Sequence, residues 1–123
     1  MVKITIPGRF PSLNEYIAAN KHRSGNWNGG NAMKQKDQKT ICHCIPRGLK
    51  FERKIFIEYN FFEPNTRRDK DNISGYFHKV FQDALVQAGC IPDDGWKYIL
   101  GMQDNFWIDK SDPHIEVLIE EIR

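Results

Sequence analysis

The spacing of apolar and polar positions changes several times along this chain, and each change marks an element. Residues 2–8, VKITIPG, alternate apolar with polar and close on Pro-Gly, which predicts a short strand. Residues 9–31 include KHRSGNWNGGN, a long loop rich in Gly and Asn of the kind that is either functional or mobile. Ala32 to Ile45 suits a helix stopped by Pro46, with Met33, Ile41, Cys44 and Ile45 as a partial apolar stripe. Lys54 to Phe62, KIFIEYNFF, is β-branched and aromatic and predicts a strand, with a turn at Pro64-Asn65.

The cleanest pattern runs from Asn72 to Gly89. Ile73, Tyr76, Phe77, Val80, Phe81, Ala84, Leu85 and Ala88 recur at helical spacing on one face, and Gly89 suits the stop. The acidic turn IPDDGW follows. Tyr98 to Ile108 and His114 to Ile122 read as two strands, with DKSDP offering a hairpin between them. The predicted order is β-α-β-α-β-β. That is a small α+β domain over residues 1–123 with a mixed β-sheet and two main helices.

The chain has 123 residues, about 40% hydrophobic and 28% charged, the composition of a soluble globular domain. No apolar run reaches the roughly 20 residues of a membrane span, and no apolar leader opens the chain, so the expectation is a cytoplasmic protein without a membrane partner. Cys42, Cys44 and Cys90 are an odd set, which fits a reducing compartment better than a disulfide framework. Cys42-His43-Cys44 lacks the second ligand pair of a zinc site.

Net charge is +2, but residues 1–54 hold 11 Lys and Arg against 3 Asp and Glu, whereas residues 55–123 hold 7 against 13. A basic half beside an acidic half suits a polyanion-binding surface next to a carboxylate cluster; chance distribution over a solvated surface accounts for it equally well. The acidic focus is RRDKDN, Arg67 to Asn72. In an extended segment Asp69 and Asp71 project to one side, and two carboxylates that close favour a hard divalent cation such as Mg²⁺. Asn72 is the expected N-cap of the following helix, whose positive end favours phosphate. A second pair, Asp93-Asp94, follows that helix, which at about 18 residues is about 27 Å long. Asp94 returns to Asp69 only if the next strand folds back alongside.

The segment RRDKDNISGYFHKVFQDALVQAGCIPDDGWKYI resembles the RusA family of Holliday-junction resolvases, crossover junction endodeoxyribonucleases of phages and prophages. The matching residues are Arg68-Asp69-Lys70-Asp71-Asn72, Lys79, Asp83-Ala84-Leu85, Ala88-Gly89 and Asp93-Asp94, and the opening IPGRFPSLNEY also looks like that family's first strand and turn. The resemblance implies a homodimer that uses Mg²⁺, with Mn²⁺ as an alternative, to nick a four-way DNA junction symmetrically. It implies Asp69, Asp71 and Asp94 as metal-binding catalytic carboxylates and Lys79 as the catalytic lysine. The family pattern alone selects Asp94 over Asp93. Lys79 stands about one helical turn further from Asn72 than in the best-known member, while keeping its spacing to Asp83-Ala84-Leu85.

Around that site, Arg67 and Arg68 suit phosphate positioning, and Lys21 and Arg23, with His22 and Trp27, suit contact with DNA by charge and stacking. Asp83 is expected to be structural, orienting Lys79 or capping a local network. His78 and His114 read as ordinary surface residues. Two other functions fit parts of the pattern. One is a non-catalytic branched or single-stranded DNA-binding module with the same fold. The other is a metal-dependent transferase on a nucleotide-linked substrate, which the absence of a Gly-rich phosphate loop disfavours.

Overall fold

The segment IFIEYNFFE alternates its burial, and that alternation organises the molecule. Its odd residues Ile55, Ile57, Tyr59, Phe61 and Glu63 all point to one face and are buried. A computed structural model describes residues 1–123. The elements are β1 (Val2–Pro7), α1 (Leu13–Asn20), β2 (Arg23–Ser24), β3 (Trp27–Asn28), α2 (Gly29–Cys44), β4 (Ile55–Glu63), α3 (Lys70–Gln87), β5 (Ile99–Ile108) and β6 (His114–Glu121). The α+β class and the mixed sheet are as the sequence predicts. The helices number three rather than two.

The main sheet has the order β1-β6-β4-β5. β4 and β5 are parallel, joined by α3, while β6 is antiparallel to both β4 and β1. Register lines the core into rows. Ile4, Val117 and Tyr59 form one row, and Ile6, Ile115 and Phe61 the next. α3 lays Phe77 edge-on against Tyr59 and Phe61, with ring centroids at 5.9 and 5.6 Å. α2 packs beside α3, and the Tyr76 hydroxyl ties the two helices by donating to Asp37 at 2.7 Å. Gly89, at φ +79°, closes α3, with Cys90 N–H returning to Leu85 C=O at 2.9 Å.

Two expectations change here. The residues 9–31 are not one open loop. Ser12 N-caps α1 through a reciprocal box with Glu15, and β2 and β3 form a small hairpin. The sequence signal for α1 was Ser12-x-x-Glu15 itself. Second, β5 and β6 are consecutive but not a hairpin: β6 crosses to the other edge of β4 and lies between it and β1. A parallel return through α3 puts β5 on one side of β4, and β6 takes the other side of β4 rather than the open outer edge of β5.

Candidate metal site at the head of the third helix

β4 ends on Glu63 and α3 begins at Lys70, so the six residues between carry the chain from sheet to helix at the carboxyl ends of β4 and β5. Asp69, not Asn72, is the N-cap. It has the extended φ of −69° and ψ of 149°, yet its side chain makes no capping bond. Its carboxylate is therefore left to other partners. Asp71 lies in the first turn, where a helix N-terminus favours negative charge, and accepts only the N–H of Asn72 at 3.0 Å. Both carboxylates are exposed and neither is in an ion pair. Asn72 turns instead to α1, accepting the N–H of Asn14 at 3.3 Å.

A groove of about 650 Å³ opens here, lined by Glu63, Asn65, Arg68, Asp69, Asp71 and Trp107, among others. Its floor is a carboxylate-guanidinium clamp. Glu63 is buried and accepts from Arg68 Nε at 3.1 Å, Arg68 Nη2 at 3.0 Å and Arg9 Nη2 at 2.9 Å. Arg68 Nη1 also donates to the carbonyl of Phe10 at 2.8 Å. Burial alone would raise the Glu63 carboxyl, but Arg68 and then Arg9 outweigh it and hold it below the usual carboxylate range. Arg68 is thus committed to the fold, contrary to the expectation of a free phosphate ligand. Its side chain is only 18% exposed. Arg67, by contrast, is exposed and only its backbone is held, by Asn65 Oδ1 at 3.0 Å. Lys70 lies over the ring of Phe106, 5.7 Å from its centroid.

The remaining predicted residues do not gather at this groove within one chain. Lys79 is exposed and sits ten residues beyond Asp69, about 15 Å along the helix axis. Asp83 does not orient it; Asp83 pairs with Lys34 of α2. Asp94 lies past the far end of α3, in a separate shallow depression with Lys54, Trp96, Leu100 and Met102. Its neighbour Asp93 accepts Gly95 N–H at 2.7 Å and is used by the turn, which leaves Asp94 as the free carboxylate of the pair. Lys21 caps the end of α1 opposite Asn14, Arg23 is exposed in the β2–β3 hairpin, and neither lines the groove.

The sequence reading passed over three groups. Glu63 is one; its only signal was a carboxylate at an inward position of an alternating strand. His78 is another, pairing with Asp104 at 2.6 Å and packing on Tyr59 with centroids at 4.5 Å. The third is Asp109, Asp112 and His114, whose ligand atoms lie within 4.8 Å of one another. His114 Nδ1 is 2.7 Å from the Asp112 carbonyl, and its ring stacks on Phe62 at 4.3 Å. The Cys42-His43-Cys44 segment builds no such group. Cys42 and Cys44 are free thiols pushed up by burial.

The donor set at Asp69 and Asp71 fits Mg²⁺, a hard cation that accepts one or two carboxylates and keeps several waters. No protein-family model matches this chain, and no curated protein does so either.

Proposed function

We propose that this protein is a metal-dependent endodeoxyribonuclease acting on branched DNA, with the four-way junction as its substrate, as its resemblance to the RusA resolvases implies. The observation that carries the reading is the pair Asp69 and Asp71, free of protein cations at the head of α3 beside an open groove. Two neighbouring carboxylates left without a lysine or arginine partner are poorly suited to a phosphate surface unless a cation joins them.

Asp69 and Asp71 would hold Mg²⁺, or Mn²⁺ in its place. The bound ion supplies an acidified water and Lewis acidity toward the phosphoryl oxygen. The chain's own groups do the positioning. The Glu63–Arg68 clamp ties the strand-to-helix turn to the sheet and to Phe10, so the carboxylates are carried on a braced backbone. Arg67, exposed and unpaired, receives a phosphate oxygen, and the α3 N-terminus adds favourable potential. Lys79 and Asp94 enter only if DNA or a second copy of the chain closes the distance.

That separation favours the binding module as the second reading, because one chain alone does not assemble the full set of catalytic groups. Cleavage of a synthetic four-way junction, against linear duplex, separates the two. Wild type with Mg²⁺ is expected to give paired symmetric nicks. EDTA or Asp71→Asn abolishes them without loss of junction binding. Wild type that binds the junction but cuts nothing under Mg²⁺ or Mn²⁺ overturns the nuclease reading and leaves the binding module.

A further inference from the structure

α3 and the core cover one face of the main sheet, and the residues that alternate with the core along each strand point to the other. Register sets Pro7, His114, Phe62 and Trp107 side by side there, one residue from each of the four strands. The rings of His114 and Phe62 stack at 4.3 Å and 6° from parallel, and Trp107 follows Phe62 at 6.4 Å and 21°. The row stops at Trp107, because β5 is the edge strand. One face of its indole is turned to Phe62. The other looks out past the sheet, and the residue is 52% exposed.

The exposed ring is not free to turn. Its Nε1–H donates to Asn60 Oδ1 at 3.1 Å, and Asn105 Nδ2 donates to the same oxygen at 3.1 Å. Asn60 Nδ2 in turn donates to Glu58 Oε2 at 3.0 Å. Asn60 is buried, so its amide holds the indole in one orientation from below. Of the chain's three tryptophans, all exposed, Trp107 alone is stacked and bonded in this way. Trp107 also borders the groove that carries Asp69, Lys70 and Asp71, with its ring on the far side of β5 from Phe106 and α3.

We propose that the outer face of Trp107 is a stacking site for an unpaired nucleobase, one that belongs to a DNA strand whose phosphate lies at Asp69 and Asp71. The place of the phosphate rests on the nuclease reading. A nucleobase is favoured over an apolar side chain of a protein partner because a flat ring held rigid beside a groove for cation and phosphate matches a nucleotide, which joins a flat base to a phosphate. The row admits it only at this end. Asp109 and Asp112 gather at His114, and their charge repels a sugar-phosphate chain from the other end. The base must be unpaired, because from the groove to the indole the strand turns round the end of β5, from one face of the sheet to the other. A duplex is too stiff for that turn and keeps its bases stacked on one another; a single strand makes it.

The test follows the indole itself. A Trp27→Phe/Trp96→Phe protein keeps Trp107 as its one tryptophan, and both replaced side chains are exposed, so the fold is retained, which circular dichroism checks. A short oligothymidylate in Mg²⁺ should quench the emission of Trp107, whereas a blunt duplex and an abasic strand of equal length should not. Trp107→Leu should weaken binding of the oligothymidylate about 10- to 100-fold and leave that of the abasic strand unchanged, and Trp107→Tyr should restore most of the affinity. Emission that ignores the oligothymidylate, equal quenching by the abasic strand, or a Trp107→Leu protein that loses both strands alike overturns the stacking site. For the phosphate, a junction with one unpaired thymidine beside the nick should be cut faster than a fully paired one, and Trp107→Leu should erase the difference. Equal rates for wild type overturn the link between base and groove. Base-dependent quenching by a protein that nicks no branched DNA refutes the nuclease reading and leaves the stacking site. Nicking that needs Mg²⁺, by a protein whose Trp107 emission ignores the oligothymidylate, does the reverse.

Discussion

Replacing Glu63 with Gln tests whether the clamp beneath the groove holds the strand-to-helix turn. The carboxylate accepts three N–H groups from two guanidiniums and its side chain is 7% exposed. Gln offers one acceptor oxygen and turns an NH₂ toward donors. Breaking a fully buried pair costs about 3–5 kcal/mol. Arg68 and Arg9 are 18% and 37% exposed and regain some water, which brings the expected loss to about 2–3 kcal/mol. For a domain of this size that is a fall in melting temperature of about 10 °C. The measurement is urea unfolding of both proteins from pH 7 to pH 3. The folded carboxyl titrates below its unfolded value of about 4.3, so its contribution is fully present above that value and is lost as pH falls through the folded one. The gap between wild type and Glu63→Gln should stay constant from pH 7 to about 5 and close below about 4. A gap under about 0.5 kcal/mol at pH 7, or one unchanged at pH 3, refutes the clamp.

Lys79→Ala removes an exposed side chain without an ion pair, so unfolding should move by less than about 0.5 kcal/mol, while junction nicking falls if Lys79 acts on DNA. A large loss of stability would mean that Lys79 is structural. Tyr76→Phe deletes the 2.7 Å bond to Asp37, whose carboxyl is raised chiefly by burial. The expected cost is about 1–2 kcal/mol at pH 7 by urea unfolding, and it should shrink as acid protonates Asp37. A Tyr76→Phe protein as stable as wild type would show that the Tyr76–Asp37 bond adds nothing to the packing of α2 on α3.

Periodicity was sufficient for the elements whose pattern is strong. Seven buried apolar residues of α3 face the core as their helical spacing requires, and β4 shows the period of two. Asp69 and Asp71 stand at the head of that helix, but not in the extended segment expected to turn both to one side: Asp71 is already in the first helical turn, and the two stay near one another because they are two residues apart in the chain. α1 and the β2–β3 hairpin were missed because each is short and none of the residues of α1 is buried, so its only mark was the capping box.

Three things were decided only in three dimensions. The neighbours of β4 depend on which edge each returning strand finds free, and hydrogen-bonding partners across a sheet leave no trace in local periodicity. The role of Arg68 depends on Glu63, brought to it by the turn, and a guanidinium bound to a buried carboxylate reads in sequence like one free for phosphate. The place of Asp94 depends on the rigidity of α3, an eighteen-residue rod that keeps its two ends apart. Sequence alone therefore determined that Asp69 and Asp71 neighbour one another, because adjacency in the chain enforces adjacency in space. The tertiary structure decided which distant groups share that site, because a rigid helix and a sheet edge set distances that no spacing of residues encodes.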